Sequence, residues 1–430
     1  MKSEMLIMFD TKLNCNKFYE VILNNNNDVV IRYGRVGAKG QTKNYFGEGE
    51  RKFNSLIRSK EKKGYKKIEV DSGLKIENHS NKNIMEKALE QIKYKDERSK
   101  ILIEYMVKAN IHSITKNTNI SYDEKSGVFK TPIGVVGKDS VIKAELILNN
   151  IEDIINNKNI DNNVIEQELF KLNEDYFVLI PNKIKNARDK KFLLFDIESV
   201  NAQRSICQSL LETIDLLKEL KEKPVKVLDK KEEIEEKLFD IEIEHIKDKN
   251  TFEKICKLYE ETKNDSHGRT IKNSVVNNVF KIKMNKQVEN FERKSQEIGN
   301  VKQLWHGTRM SNVLSIFSRG LLMPKQSPSS KAGAMFGYGL YFADQSSKSL
   351  QYCDGLYYGS NSKRSNRIYM FLTSVALGKQ YTPSNPTQSN PPKGFDSYFA
   401  KSGVSGVRNN EFIVFDCDQV RFDYLIEIKI

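Results

Sequence analysis

The sequence predicts an α+β multidomain protein: a small mixed β/α domain over 1–75, an all-α helical bundle over 80–230, and a mostly antiparallel-sheet domain over 236–430. Three observations lead there. The chain has 430 residues, room for two or three domains of ordinary size. Its apolar pattern turns helical near residue 80 and returns to strands, with more glycines and aromatics, beyond about 238. Its last six residues, Leu-Ile-Glu-Ile-Lys-Ile, alternate strictly, which places Ile426, Ile428 and Ile430 on one strand face and Glu427 and Lys429 on the other.

In the first region, 19–23 and 29–33 are β-branched and aromatic and read as two strands. The Asn-rich stretch 24–28 between them has turn chemistry. Next comes Arg-Tyr-Gly-Arg-Val-Gly-Ala-Lys-Gly-Gln, with Gly34, Gly37 and Gly40 at three-residue spacing. It lacks the Gly-Lys-Ser/Thr ending of a P-loop and the spacing of a dinucleotide turn, so the glycines alone are a weak signal for phosphate binding. Residues 48–63 then read as a basic helix ending at Gly64. Lys and Arg number 16 against 9 acids over 1–75, so this region carries +7 of the chain's +13. The segment 51–67 holds eight bases and one acid, Glu61. Either it faces a polyphosphate or it is a solvated helix face.

In the middle region Val141, Ala144, Leu148, Ile151 and Ile155 recur at helical steps after a cap at Asp139 or Ser140. A second helix is expected over 201–223, with Ile206, Leu210, Ile214 and Leu217 on one face and Pro224 as its stop. The charged stretch 221–236 reads as a hinge or exposed connection. In the last region two short helices precede strands at 301–305, 340–343, 367–377 and 411–415.

Composition narrows the classes. The chain has 38% hydrophobic residues, enough for packed cores, and its net charge of +13 favours polyanionic partners. No run of about 18 apolar residues occurs, and the start has acids at Glu4 and Asp10 without an apolar signal core. The five cysteines are scattered and the five histidines stand alone, which argues against zinc fingers and a disulfide framework. The expectation is a soluble, intracellular, metal-free protein.

Three segments of the last region carry chemistry: Leu-Trp-His-Gly-Thr-Arg at 304–309, Gly-Leu-Tyr-Phe-Ala-Asp-Gln-Ser-Ser-Lys-Ser-Leu-Gln-Tyr at 339–352, and Asn-Glu-Phe-Ile-Val-Phe-Asp at 410–416. Singly, His306 reads as a satisfied histidine at a strand end, Tyr341 as core, and Glu411 as an edge charge. Together and in this order they resemble the His–Tyr–Glu triad of the diphtheria-toxin-like ADP-ribosyltransferases. The surrounding words resemble the DNA-dependent poly(ADP-ribose) polymerases. The resemblance covers nearly the whole chain: 32–41 resembles that family's WGR module, while 131–140 with the helix after it, and 173–181, resemble its helical regulatory domain.

The resemblance implies NAD as substrate, no metal, and protein acceptors including the enzyme itself. Gly307 would hold the nicotinamide carboxamide through its backbone, with Thr308 beside it in the NAD site and the Ser349 hydroxyl on the same amide. Tyr341 and Tyr352 would sandwich the pyridinium ring, and His306 would orient the adenine-side ribose. Glu411 would be the catalytic carboxylate and favours polymer over single transfer. Tyr33 and Arg35 would meet DNA ends or nicks. Glu212 would belong to a regulatory gate that opens on DNA contact, although the neighbouring family acid is Gln208 here. A nuclear location and a DNA-damage role are expected.

Four departures accompany the resemblance. Tyr33 replaces the WGR tryptophan, Leu322 an arginine near the adenine, and Ala334 a tyrosine, and the segment 377–411 is short. A mono-ADP-ribosyltransferase, or a catalytically weak DNA-end-binding adaptor, are therefore the alternatives.

Overall fold

The computed structural model describes residues 2–10, 15–35, 40–68, 84–116, 118, 120–123, 128–131, 134–156, 162–182, 193–221, 238–264, 267, 269–323, 335–353, 367–387 and 389–430. Gly37, Pro224, Ala334 and most of the expected hinge at 221–236 lie outside the described residues. The chain divides into two compact units, 1–83 with 111–218, and 84–110 with 219–430.

In the first unit, β1 (Lys2–Asp10), β2 (Cys15–Leu23), β3 (Val29–Arg35), β4 (Gln41–Tyr45) and β5 (Lys66–Ile68) form one antiparallel sheet in the order β4-β3-β2-β1-β5. The expected turn closes β2 onto β3: Asn24 N–H donates to Asp28 O at 2.9 Å, and Asn27 adopts φ 68°, a conformation asparagine tolerates. Helix α1 (Gly49–Glu61) buries Phe53 and Ile57 against Leu6, Tyr19, Val21, Val29 and Ile31. Val29, Ile31, Tyr33 and Arg35 share that sheet face, and only Arg35, the last, is exposed. Tyr33 leans on the same core, 6.0 Å from the Tyr19 ring. Gly34 and Gly40 act in packing: a Cβ on Gly34 would sit 2.9 Å from the Gly40 Cα.

Helix α2 (Ile84–Gln91), strand β6 (Lys93–Tyr94) and helix α3 (Glu97–Thr115) follow, with Asp96 capping α3 through Ser99 N–H at 2.9 Å. A three-stranded antiparallel ribbon, β7 (Ser121–Asp123), β8 (Val128–Thr131) and β9 (Gly134–Val135), sits in the region expected to be all-α. These strands of two to four residues are too short to register as a period of two. Helix α4 (Lys138–Asn156) begins just before the expected cap, its Val141 N–H reaching Gly137 O, and buries Val141, Ala144, Leu148 and Ile151. Helix α5 (Asn162–Leu179) packs on α4. Helix α6 (Ile197–Lys221) starts four residues earlier than its apolar stripe suggests, because the Asp196 carboxylate accepts the Ser199 N–H at 2.7 Å.

The second unit continues with β10 (Ile241–His245), α7 (Lys249–Glu261), α8 (Arg269–Lys272), β11 (Val275–Met284), α9 (Asn285–Ile298), β12 (Val301–Gly307), α10 (Met310–Arg319), β13 (Leu340–Phe342), α11 (Ser346–Leu350), β14 (Arg367–Ala376), β15 (Gln380–Tyr381), β16 (Ser397–Ala400), β17 (Glu411–Val414) and β18 (Val420–Lys429). Two sheets result, six-stranded in the order β12-β14-β18-β11-β10-β6 and four-stranded in the order β13-β17-β16-β15. All pairings are antiparallel except β6 with β10 and β15 with β16.

The alternating C-terminal strand is not half-exposed. β18 lies between β14 and β11, and Leu425, Ile426, Glu427 and Ile428 are all buried. One face joins the core of Tyr259, Trp305 and Met370. On the other, Tyr369, the register partner of Glu427, meets Tyr105 of α3 at 5.7 Å. Alternation marks a change of chemistry between faces, and here the second face is covered by a helix. Glu427 is matched by donors: Asn277 Nδ2 at 2.8 Å, Asn278 Nδ2 at 3.0 Å and the Arg367 guanidinium at 3.4 Å. Replacing it by alanine leaves two amides without their acceptor, so Glu427→Ala should cost about 2–4 kcal/mol, and Glu427→Gln markedly less. Thermal denaturation of both variants checks this; an alanine variant within about 0.5 kcal/mol of wild type would mean the site is solvated.

Candidate active site

The six-stranded sheet ends at β12, and a bridge ties that edge to the other sheet. Trp305 N–H donates to Ala343 O at 2.8 Å, and Ala343 N–H returns a bond to Trp305 O at 3.0 Å. Trp305 is itself fixed, its indole N–H on Thr262 Oγ1 at 3.1 Å and its ring edge-on to Tyr259. His306 and Gly307 therefore follow at a defined place beside β13.

His306 Nδ1 lies 2.9 Å from Tyr341 O. A carbonyl only accepts, so Nδ1 carries the proton and Nε2 is left as an acceptor for a ligand hydroxyl. Burial holds the His306 pKa below the usual histidine range, against a smaller opposite pull from the Tyr341 carbonyl, so the neutral ring prevails at neutral pH.

Gly307 admits nothing larger. A Cβ there would overlap Ser349 O and lie 3.3 Å from Tyr352 Cβ, so backbone meets backbone at this point. The Ser349 hydroxyl, buried, donates to Trp305 O at 2.9 Å, which leaves its lone pairs toward a ligand amide. Thr308 lies next along the chain, its hydroxyl 3.4 Å from Asn312 Nδ2.

Tyr341 on β13 is braced at its hydroxyl, which donates to Gly337 O at 2.8 Å and accepts from Phe336 N–H at 3.0 Å. Burial is the main cause of its raised pKa, and Glu411 and Tyr352 add to it, so the phenol stays protonated. β17 runs antiparallel to β13, with Tyr341 opposite Ile413, which brings Glu411 to the same locus. Glu411 Oε1 pairs with Lys348 Nζ at 2.8 Å, and both side chains are nearly buried. The same ammonium donates to the Tyr352 hydroxyl at 2.9 Å and lies 5.0 Å from the Tyr352 ring centroid. Burial disfavours charge on Lys348, but Glu411 and Tyr352 outweigh it and raise its pKa above the usual value.

His306, Gly307, Tyr341, Ser349, Tyr352 and Glu411 are thus linked in one network, with Thr308 at its margin. Tyr33, Arg35 and Glu212 belong to the other unit, Glu212 on α6. Leu322 follows α10 with its side chain largely in solvent. Lys348 escaped the sequence reading. Its four-residue spacing to Tyr352 was the available signal, since that spacing places both on one side of a helical turn. Among the described residues no group of three His, Cys, Asp or Glu could hold a metal ion. No helix of the described residues is long and apolar enough to cross a membrane.

His306, Tyr341 and Glu411 come from three strands, β12, β13 and β17, of two antiparallel sheets and meet beside Gly307, the arrangement that the resemblance to the ADP-ribosyltransferases implies. Comparison with known proteins narrows this. The poly(ADP-ribose) polymerase catalytic domain matches residues 249–405, the WGR domain 3–71 and the poly(ADP-ribose) polymerase regulatory domain 100–231. The catalytic match holds His306, Tyr341 and Ser349 and stops short of Glu411. Poly [ADP-ribose] polymerase 2 of Zea mays is 26% identical, covering 97% of this chain and 68% of its own length. Poly [ADP-ribose] polymerase 2-A of Oryza sativa subsp. japonica is 26% identical over 93% of this chain and 65% of its own length. Protein mono-ADP-ribosyltransferase PARP3 of Homo sapiens is 24% identical over 90% and 74%. The chain belongs to the poly(ADP-ribose) polymerase family, whose catalytic domain uses NAD as substrate.

Gly307→Ala tests the close approach. The added methyl would collide with Ser349 O, so the variant should lose nicotinamide binding measurable by calorimetry and about 1–3 kcal/mol of stability. Wild-type nicotinamide affinity in the alanine variant would refute the role of this backbone contact.

Proposed function

We propose that the protein is a poly(ADP-ribose) polymerase activated by DNA breaks, which transfers ADP-ribose from NAD to protein acceptors, itself included, and elongates the chain. The observation that carries this reading is Glu411, an acceptor-only side chain fixed by Lys348 at 2.8 Å beside Tyr341 and Tyr352.

The nicotinamide ring lies between Tyr341 and Tyr352, and its amide meets Gly307 and Ser349. The bond from ribose C1′ to the pyridinium nitrogen breaks, and its electron pair leaves with neutral nicotinamide. Positive charge develops on the ribose as in glycoside hydrolysis. Glu411 accepts a hydrogen bond from the ribose 2′-hydroxyl and stabilises that charge. It also polarises the acceptor hydroxyl, whose oxygen bonds to C1′ while its proton passes to the Glu411 carboxylate. His306, neutral, accepts from an adenine-side ribose hydroxyl at Nε2. The carboxylate also suits elongation, because a ribose hydroxyl is a weak nucleophile and needs this polarisation. Single transfer is the second reading, favoured by the short segment 377–411 and by the similarity to the human mono-ADP-ribosyltransferase.

The basic N-terminal domain, with Arg35 exposed at the end of its strand face, is proposed to hold DNA ends or nicks, and a nuclear location and a role in the DNA-damage response are proposed with it. The regulatory region, Glu212 included, is proposed to gate NAD entry until DNA binds.

Glu411→Gln keeps the shape and removes the charge, so polymer synthesis from labelled NAD should fall by about 10²–10³ while NAD binding persists. Long polymer at near wild-type rate in that variant would refute the assignment. In wild type, a ladder of products dependent on nicked DNA is expected. A single sharp band would favour the second reading, and equal activity without DNA would remove the gate. Arg35→Ala should weaken DNA binding and reduce the slope of log affinity against log salt by about one. An unchanged slope would mean that Arg35 meets no phosphate.

A further inference from the structure

A histidine outside the triad links the two segments that supply Lys348 and Glu411. The chain leaving α7 cradles α11 from below. Ser346 donates its N–H to Thr262 O at 3.1 Å and its hydroxyl to Tyr259 O at 2.8 Å, and Asn264 N–H donates to Ser347 Oγ at 2.8 Å. His267 extends this cradle. Its Nδ1 lies 2.9 Å from Ser347 Oγ, and its Nε2 lies 3.2 Å from Asn409 Oδ1. Ser347 precedes Lys348 directly, and Asn409 is two residues before Glu411.

One proton of this link can be assigned. Asn409 Oδ1 only accepts, so His267 Nε2 carries a proton and donates it. Ser347 Oγ, which accepts from Asn264 N–H, is the partner of His267 Nδ1. Beside it, Asn410 Nδ2 donates to Asp344 Oδ2 at 2.8 Å, and Asn410 Oδ1 accepts from Ser402 N–H at 3.0 Å, so the entry to β17 is tied on both sides.

We propose that His267 is a positioning residue for Glu411: by bridging Ser347 and Asn409 it sets the separation of α11 from β17, and with it the placement of the Lys348–Glu411 pair. His267 has no bond to either charge, so it acts through its two neighbours. The inference rests on the reading of Glu411 as the residue that assists transfer. Since a displacement on the order of 1 Å at a reacting group can cost up to about 10²-fold in rate, a brace of this kind should appear in kcat rather than in NAD binding.

Three substitutions separate the contacts. Glutamine can place an amide donor near the Nε2 position and keep the Asn409 bond, asparagine can reach only Ser347, and alanine reaches neither. Steady-state kinetics should show His267→Gln within about threefold of wild type, and His267→Ala and His267→Asn about tenfold or more lower in kcat, with KM for NAD within about twofold. Asn409→Ala, which leaves the cradle intact, should reproduce the alanine result. The proposal is overturned if His267→Ala turns over like wild type, if glutamine rescues nothing, or if kcat and KM fall together. Hydrogen exchange needs no turnover: amides at 409–412 should exchange faster in His267→Ala than in wild type or His267→Gln, while β12 and β14 keep their rates. Unchanged exchange there overturns the brace even in an active enzyme. Faster exchange in a protein without transferase activity upholds the brace and overturns the reading of Glu411 instead.

Discussion

The catalytic unit depends on one small feature, the reciprocal pair of backbone hydrogen bonds between Trp305 and Ala343. Through it the edge of a six-stranded sheet is tied to a separate four-stranded one. Trp305 cannot shift to relieve strain, because its indole is bonded to Thr262 and packed edge-on to Tyr259. With Trp305 held, Ser349 is drawn in by the same carbonyl, His306 is set against Tyr341 O, and Gly307 meets the Ser349 backbone. The residues proposed to bind the amide and its ribose thus stand on strand ends held by hydrogen bonds and packing, which limits the ordering cost of binding.

The Lys348–Glu411 pair follows a different logic. Both side chains are largely out of water, and pairing buried charges seldom repays their desolvation in stability. Its value is geometric. The carboxylate is held by the Lys348 ammonium, and Tyr341 and Tyr352 lie beside it, which is the arrangement the proposed role of Glu411 calls for. The raised pKa of Lys348 keeps that cation present through the physiological range. Glu427 provides the contrast within the same unit: a buried carboxylate on the central strand, held by two amides and the Arg367 guanidinium.

Much of this was legible in the residues. Strands, turns and amphipathic helices follow from local periodicity, and His306, Tyr341 and Glu411 are each recognisable from the few residues around them. Where the reading missed, a cap or a cover was responsible. Asp196 lengthened α6 backward, a hydrogen bond to Gly137 started α4 early, and short ribbon strands were lost among helices. Tyr33 has part of its ring against Tyr19 and the domain core, while Arg35 at the same strand end stays exposed.

The sequence by itself determined the domain order, the strand and helix periods, the chemistry of the triad and the basic bias of the N-terminal region. These are local properties, written within a few neighbouring residues. Only the tertiary structure decided that β18 is central, so its alternating face is buried and Glu427 needs partners from β11 and β14. Only it brought Lys348 to Glu411, and His267 to Ser347 and Asn409, across separations of 63, 80 and 142 residues. Contacts at such distances leave no periodic trace, because chain closure between two sheets, rather than local propensity, sets them.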